Sequence, residues 1–156
     1  MDTIPMGHRL AGLILLLALP ASRIAFAGLG DPASSAATDA AALQGTLATT
    51  PLQRYDLQRI AAPGGLVIRE YSTAATGVFA VAWNGPLAPN LAVLLGSRFA
   101  EYQNAFAALR TPGLHRSLSI DRPDLVVSLD GRPRAYSGRA YLPSRIPAGV
   151  TVAELR

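Results

Sequence analysis

The sequence predicts an α+β domain, an antiparallel β-sheet of about five to six strands with one amphipathic helix packed on it. Three observations carry that expectation. Short apolar stretches of strand length recur on both sides of a single long helical pattern. Turn signals separate them: Pro63-Gly64-Gly65, Asn84-Gly85-Pro86 and Asp130-Gly131-Arg132-Pro133. The resulting order, three strands, a helix and about three more strands, is that of a sheet layered against a helix.

The chain opens with an address. Met1 to Arg9 is polar, and an unbroken apolar run from Leu10 to Leu19 follows, stopped by Pro20. Ala25-Phe26-Ala27 then places small residues where a signal peptidase reads them. The apolar run is half the roughly 20 residues that a spanning helix needs. Residues 1–27 therefore read as a secretory signal peptide cleaved near Ala27, with no transmembrane anchor left in the mature chain. With no cysteine anywhere, both a lipoprotein anchor and a disulfide framework are excluded. The expected location is periplasmic or secreted. Removing 27 of 156 residues leaves 129, enough for one domain with a modest core.

The full chain carries a net charge of +4, with Arg as its only basic side chain apart from His. Loss of Arg9, Arg23 and Asp2 with the signal reduces the net charge to +3. An all-Arg set could suit anionic partners, but an Ala-, Gly-, Pro- and Arg-rich chain without Lys is better read as a GC-rich coding bias. Export argues against nucleic acid as a partner.

Residues 28–51 are small and polar and read as a flexible Ala/Ser/Thr-rich leader, with at most a weak helix over 39–47. The single α+β domain is expected over 52–156. Its first strand, around Tyr55, Leu57 and Arg59, alternates in the manner of an edge strand. Leu66-Val67-Ile68-Arg69-Glu70-Tyr71 is the second. Val78-Phe79-Ala80-Val81-Ala82-Trp83 is apolar on both faces and so fits a central strand. Alternation puts Phe79, Val81 and Trp83 on one of its faces. Asn90 stands at an N-cap position before Leu91, Leu94, Leu95, Phe99, Tyr102, Phe106 and Leu109 at helical spacing. Gly96 within it suits either a bend or a close contact, and Thr111-Pro112-Gly113 ends the helix after Arg110. Strands over 115–120, 125–129 and 134–142 follow, the last two joined by an Asp-Gly hairpin turn. A short terminal segment runs from Thr151 to Leu155.

These same stretches carry a resemblance. Val67-Ile68-Arg69-Glu70-Tyr71, the run from Gly77 to Pro86, and Leu94-Leu95-Gly96 with Phe99 and Tyr102 are similar to one exported proteobacterial family. Asp124-Leu125-Val126-Val127, Gly138-Arg139-Ala140-Tyr141 and Leu142-Pro143 continue the likeness. The family is domain of unknown function 2844. The resemblance implies an envelope or secreted location and no known activity, so no catalytic residue is carried over from it.

The residues offer little chemistry. Outside the signal the one histidine is His115, between Leu114 and Arg116, and it reads as a solvated side chain rather than a general base. No Gly-x-Ser-x-Gly elbow or Gly-x-x-x-x-Gly-Lys phosphate loop occurs. Asp121, Asp124 and Asp130 lack calcium-loop spacing and belong to turns. No metal and no cofactor is implied. Glu70 reads as a surface residue paired with an Arg.

One positional bias remains. Between positions 110 and 145 there are seven Arg against three Asp. Arg132, Arg134, Tyr136, Arg139, Tyr141 and Arg145 lie around one hairpin and are the candidate binding residues, able to grip an anionic surface if they converge. The reading placed ahead of that one is a solvated strand face with Arg spread over both sides. The expectation is a non-enzymatic binding or interaction module for an envelope protein or an anionic surface polymer. The alternative is a small envelope hydrolase or glycan-modifying enzyme using Glu70, Glu101 or His115. A third possibility is an inhibitor or assembly factor that docks through an exposed sheet edge.

Overall fold

The computed structural model describes residues 28–109 and 117–156. The expected signal peptide over 1–27, the expected helix end at Arg110 and turn after it, and His115 lie outside the described residues.

Seven antiparallel strands form one sheet: β1 (Thr46–Pro51), β2 (Asp56–Ala62), β3 (Leu66–Thr73), β4 (Gly77–Gly85), β5 (Ser117–Asp121), β6 (Val126–Arg132) and β7 (Ala135–Tyr141). Their spatial order is β1-β2-β3-β4-β7-β6-β5. Two meanders therefore meet at the β4–β7 pair, with Trp83 opposite Gly138. The chain must travel from β4 to the far edge at β5, three strand spacings or roughly 14 Å away. Helical segments provide that connection.

The expected helix over 90–110 is present but broken. Asn90 caps its start, the side-chain oxygen accepting from the Ala92 N–H at 3.0 Å. Helix α2 (Leu91–Leu95) stops at Gly96, whose φ of 48° leaves the right-handed region. A 3-10 turn, Gly96–Arg98, redirects the chain into α3 (Phe99–Ala108).

The sheet has seven strands rather than five to six, and there is an additional helix, because residues 28–51 fold instead of forming a flexible leader. Helix α1 (Ala36–Ala42) buries Ala36, Asp39 and Ala40. Strand β1 pairs with β2 along its full length, making β1 the edge and β2 an interior strand. All six residues of β1 are exposed. A strand that buries nothing has no need of apolar alternation, which is why the hydrophobic pattern conceals it.

The helices cover one sheet face. Ile60, Ile68, Val81, Trp83, Ile120, Val127 and Ala140 pack there with Leu29, Ala40, Leu94, Leu95, Tyr102 and Ala105. Trp83 is 3% exposed and lies over Gly138, where an added Cβ would sit 2.4 Å from the indole. The central strand expected from its two apolar faces is β4, the middle of the seven.

The opposite face carries a smaller cluster of Tyr71, Phe79, Ala80, Ala82 and Leu155. Phe79 belongs to it instead of sharing a face with Val81 and Trp83. Tyr71 pairs with Ala80 and Ser72 with Val78, so Phe79 is the extra residue of a β-bulge that resets the alternation. No helix of the described residues is long and apolar enough to cross a membrane.

Candidate functional site

Strand register divides the candidate Arg/Tyr cluster between the sheet faces. On β7, Ser137, Arg139 and Tyr141 point to the face opposite the helices, while Tyr136, Gly138 and Ala140 point to the helix side. Arg132, opposite Ala135, is on the Arg139 side but about 13 Å along the strand, near the hairpin tip. Arg134 is not on a strand. The turn consists of Pro133 and Arg134, not Asp130-Gly131, and Arg134 has a φ of 65°. A reversal at Asp130-Gly131 would leave Pro133 in the return strand with no N–H to donate, whereas its fixed negative φ suits the first central position of a turn whose second residue, Arg134, takes the positive φ. Arg145 has a structural task, its Nη1 donating to the Gly30 and Thr76 carbonyls at 2.9 and 3.0 Å. The six residues do not form one patch.

One groove on the uncovered face, of about 310 Å³, takes Arg139 alone of the six. It is lined by Asn84, Ser128, Asp130, Ser137, Arg139 and the terminal Leu155 and Arg156, above Ala82. Its polar groups are fixed by neighbours. Arg69 Nη1 donates to Asn84 Oδ1 at 2.8 Å. Arg139 Nη1 donates to the Val152 carbonyl at 3.1 Å, which orients the rest of its guanidinium. One wall is the C-terminal segment, anchored where Leu155 enters the small cluster and where the Tyr71 hydroxyl accepts from the Arg156 N–H at 3.0 Å. Burial raises the Tyr71 pKa, which keeps that hydroxyl protonated. Tyr55 and Tyr71 pack edge to face beneath the segment, with centroids 5.5 Å apart.

The strongest electrostatic feature lies on the covered side. Glu70 and Asp39 are both 0% exposed. Glu70 is therefore not a surface carboxylate paired with an Arg. Its pKa is pushed up to about 9, first by burial, then by the Asp39 charge and the side-chain hydrogen bond between the two. Neither Glu70 oxygen meets an N–H or hydroxyl donor. A bond between two carboxyls exists only while one keeps its proton, so at neutral pH the pair carries a single negative charge at most. Beside it, Gln58 sits opposite Glu70 on β2 and donates from Nε2 to the Ala33 carbonyl at 2.8 Å. Glu101, the other carboxylate considered for catalysis, is elsewhere, ion-paired with Arg98 at 3.3 Å. Among the described residues no group of three or more His, Cys, Asp or Glu could hold a metal ion.

Sequence reasoning missed the Asp39–Glu70 pair and the Asn84–Ser128–Ser137 lining. Glu70 alternates with Ile68 and Ser72, and that parity was the available signal for its burial.

Sheet, helices and groove together define a small α+β domain with one sealed and one half-open sheet face. The chain belongs to the family described as a protein of unknown function (DUF2844), which it matches over residues 25–155. No curated protein and no solved structure matches it.

Proposed function

We propose that this is an exported envelope domain, periplasmic or secreted after cleavage near Ala27, that binds a partner and performs no catalysis. The binding surface is the open face of β4, β7 and β6. The observation that carries the reading is the groove itself, where Asn84, Ser128, Ser137, Asp130 and Arg139 line an uncovered face. Neutral hydrogen-bonding groups beside a guanidinium suit a polar partner with some negative charge, either an envelope protein or an anionic surface polymer. Arg132 extends the same face toward the hairpin tip, and Tyr141 continues it in the other direction.

The hydrolase reading has less support, because Glu70 and its partner Asp39 are sealed from solvent and Glu101 is engaged by Arg98. A substrate would have no route to the carboxyl pair without opening the helix layer.

The test compares wild type with Arg139→Glu and Asn84→Ala. Each is used to capture material from envelope extracts, and each is passed over a sulfated-glycan matrix at rising salt. The expected result is retention by wild type that both substitutions reduce at least several-fold. Equal retention by all three removes the reading.

A further inference from the structure

Gly28 is among the most tightly packed points of the fold outside the groove. Its N–H donates to Asp31 Oδ2 at 3.0 Å. A Cβ at position 28 would sit 2.4 Å from the Gly96 nitrogen and 2.7 Å from the Val93 carbonyl oxygen, both backbone, so nothing there can yield. The contact is reciprocal. A Cβ on Gly96 would lie 2.6 Å from Asp31 Oδ2 and 3.0 Å from the Gly28 nitrogen. Two glycines thus bring a backbone nitrogen and a carboxylate together at the break between α2 and α3.

The following residues are held as firmly. Leu29 N–H donates to the Leu94 carbonyl at 3.0 Å, and Leu29 is fully buried. Gly30 N–H donates to the Val78 carbonyl, and Val78 N–H returns a bond to the Asp31 carbonyl, both at 2.8 Å. The Gly28 nitrogen therefore has a fixed position against Asp31.

We propose that Gly28 is the mature N-terminus and that the fold contains a receptor for its α-ammonium, with Asp31 as the counter-ion. The inference rests on the export reading, because cleavage after Ala27 is what frees this nitrogen. An endopeptidase of the signal-peptidase class adds water across the Ala27–Gly28 amide. Ala27 gains the hydroxyl and leaves as a carboxylate, its proton released. Gly28 gains hydrogen and becomes an amine, which is protonated at neutral pH. In the uncut chain a neutral amide meets Asp31. In the cut chain a cation meets it, and a charge-assisted bond of this kind is roughly twice as strong.

The charged neighbours leave the nitrogen to Asp31. Arg145 donates to the Gly30 carbonyl, and Arg98, whose Nε is 3.6 Å from a Cβ built on Gly30, is ion-paired with Glu101. The ammonium should therefore gain a partner on folding, which raises its pKa above the unfolded value of about 8. The added stability is then present below about pH 8 and is lost as pH rises through the folded pKa.

All described elements lie within 28–156, so two forms can be compared, one beginning at Gly28 and one at Ala27, each with Asp31 and with Asp31→Asn. At pH 6.5 the Gly28 form should melt about 3 °C above the Ala27 form, a shift expected for one charge-assisted bond in a chain of this size. The gap should close by pH 10 and be absent in the Asp31→Asn pair. Should Asp31→Asn fail to fold, an NMR titration of the Gly28 α-amine substitutes, with a value above about 8 expected. Equal melting of the two forms, a gap that survives Asp31→Asn, or an unshifted amine overturns the receptor. Intact mass of the protein recovered from its native envelope should show a chain starting at Gly28. A chain still starting at Met1 overturns the export reading, whereas a cut at another position overturns only Gly28 as the mature terminus, and with it the receptor.

Discussion

The two faces of the sheet obey different rules. The helix-covered face is dry, with Ile60, Ile68, Val81, Trp83, Val127 and Ala140 in one continuous cluster. Among the described residues, the other face is covered at one end, where the C-terminal segment lies over Tyr71, Phe79, Ala80 and Ala82, and it is polar and open beyond that. Antiparallel sheets tolerate this arrangement because each strand can present an apolar and a polar side. Stability is therefore concentrated on one face, and the other is the one proposed to bind a partner.

The largest effect that tests this division is Trp83→Ala. The indole is buried over Gly138 in the main cluster, and its removal should cost about 3–5 kcal/mol by the general rule for large core aromatics. Gly138→Ala should also destabilise, by at least 1–3 kcal/mol, roughly the range for overpacking, because the new Cβ meets the indole and the Ser128 carbonyl at 2.4 and 2.7 Å. Urea unfolding measures both. By contrast, Asn84→Ala and Ser137→Ala on the open face should stay within about 0.5 kcal/mol of wild type. If these open-face changes cost as much as Trp83→Ala, the two faces share the load and the comparison breaks.

The next effect concerns the one place where the dry face is not apolar. Glu70 titrates near 9 when folded and near its ordinary value of 4.5 when unfolded. Between those limits the folded chain holds a proton that the unfolded chain releases. Stability should therefore fall as pH rises from about 4.5 to 9, by up to about 1.4 kcal/mol per pH unit. Glu70→Gln keeps a neutral donor against Asp39 and removes the titration. Its melting temperature should match wild type near pH 4.5 and exceed it increasingly up to pH 8. A parallel pH profile for the two proteins would show that Glu70 is ionised in the fold.

Much of the covered face was legible in the sequence. The all-apolar run of β4 marked a central strand, Asn90 marked the cap, and Gly96 suggested a bend or a close contact within one helix, where the structure has a break and a close approach to Gly28. Features that depend on partners distant in the chain were not legible. Strand β1 buries nothing and so left no pattern. Parity could have announced the burial of Glu70 but not its partner Asp39, which lies on α1, whose small residues 36–42 carry little apolar signal. Phe79 changed face through a one-residue bulge that no local rule announces. Of the candidate site, parity alone placed Arg139 and Tyr141 together. The loss of Arg145 to the Gly30 and Thr76 carbonyls could not be read from spacing.

The smallest expected effect lies at the border between the covered and open ends of the second face. There the terminal 3-10 turn, Val152–Glu154, is closed by a capping box in which Glu154 Oε1 accepts from the Thr151 N–H at 2.9 Å and from its hydroxyl at 2.8 Å. Those two bonds lower the Glu154 pKa. The cap is therefore intact above about pH 4.5, the ordinary carboxylate value, and is lost as pH falls through the lowered folded value. Global melting should barely register its loss, because Glu154 is solvent-exposed. The local readout is amide exchange at Leu155, whose N–H donates to the Val152 carbonyl at 3.2 Å. Glu154→Ala should speed that exchange at pH 7, and wild type should approach the variant as pH falls below the folded pKa, once intrinsic rates are corrected for. Since Val152 also receives Arg139, a loosened turn should weaken partner retention on the groove while leaving the Trp83 core untouched. Faster exchange with unchanged retention would separate the C-terminal segment from the binding face.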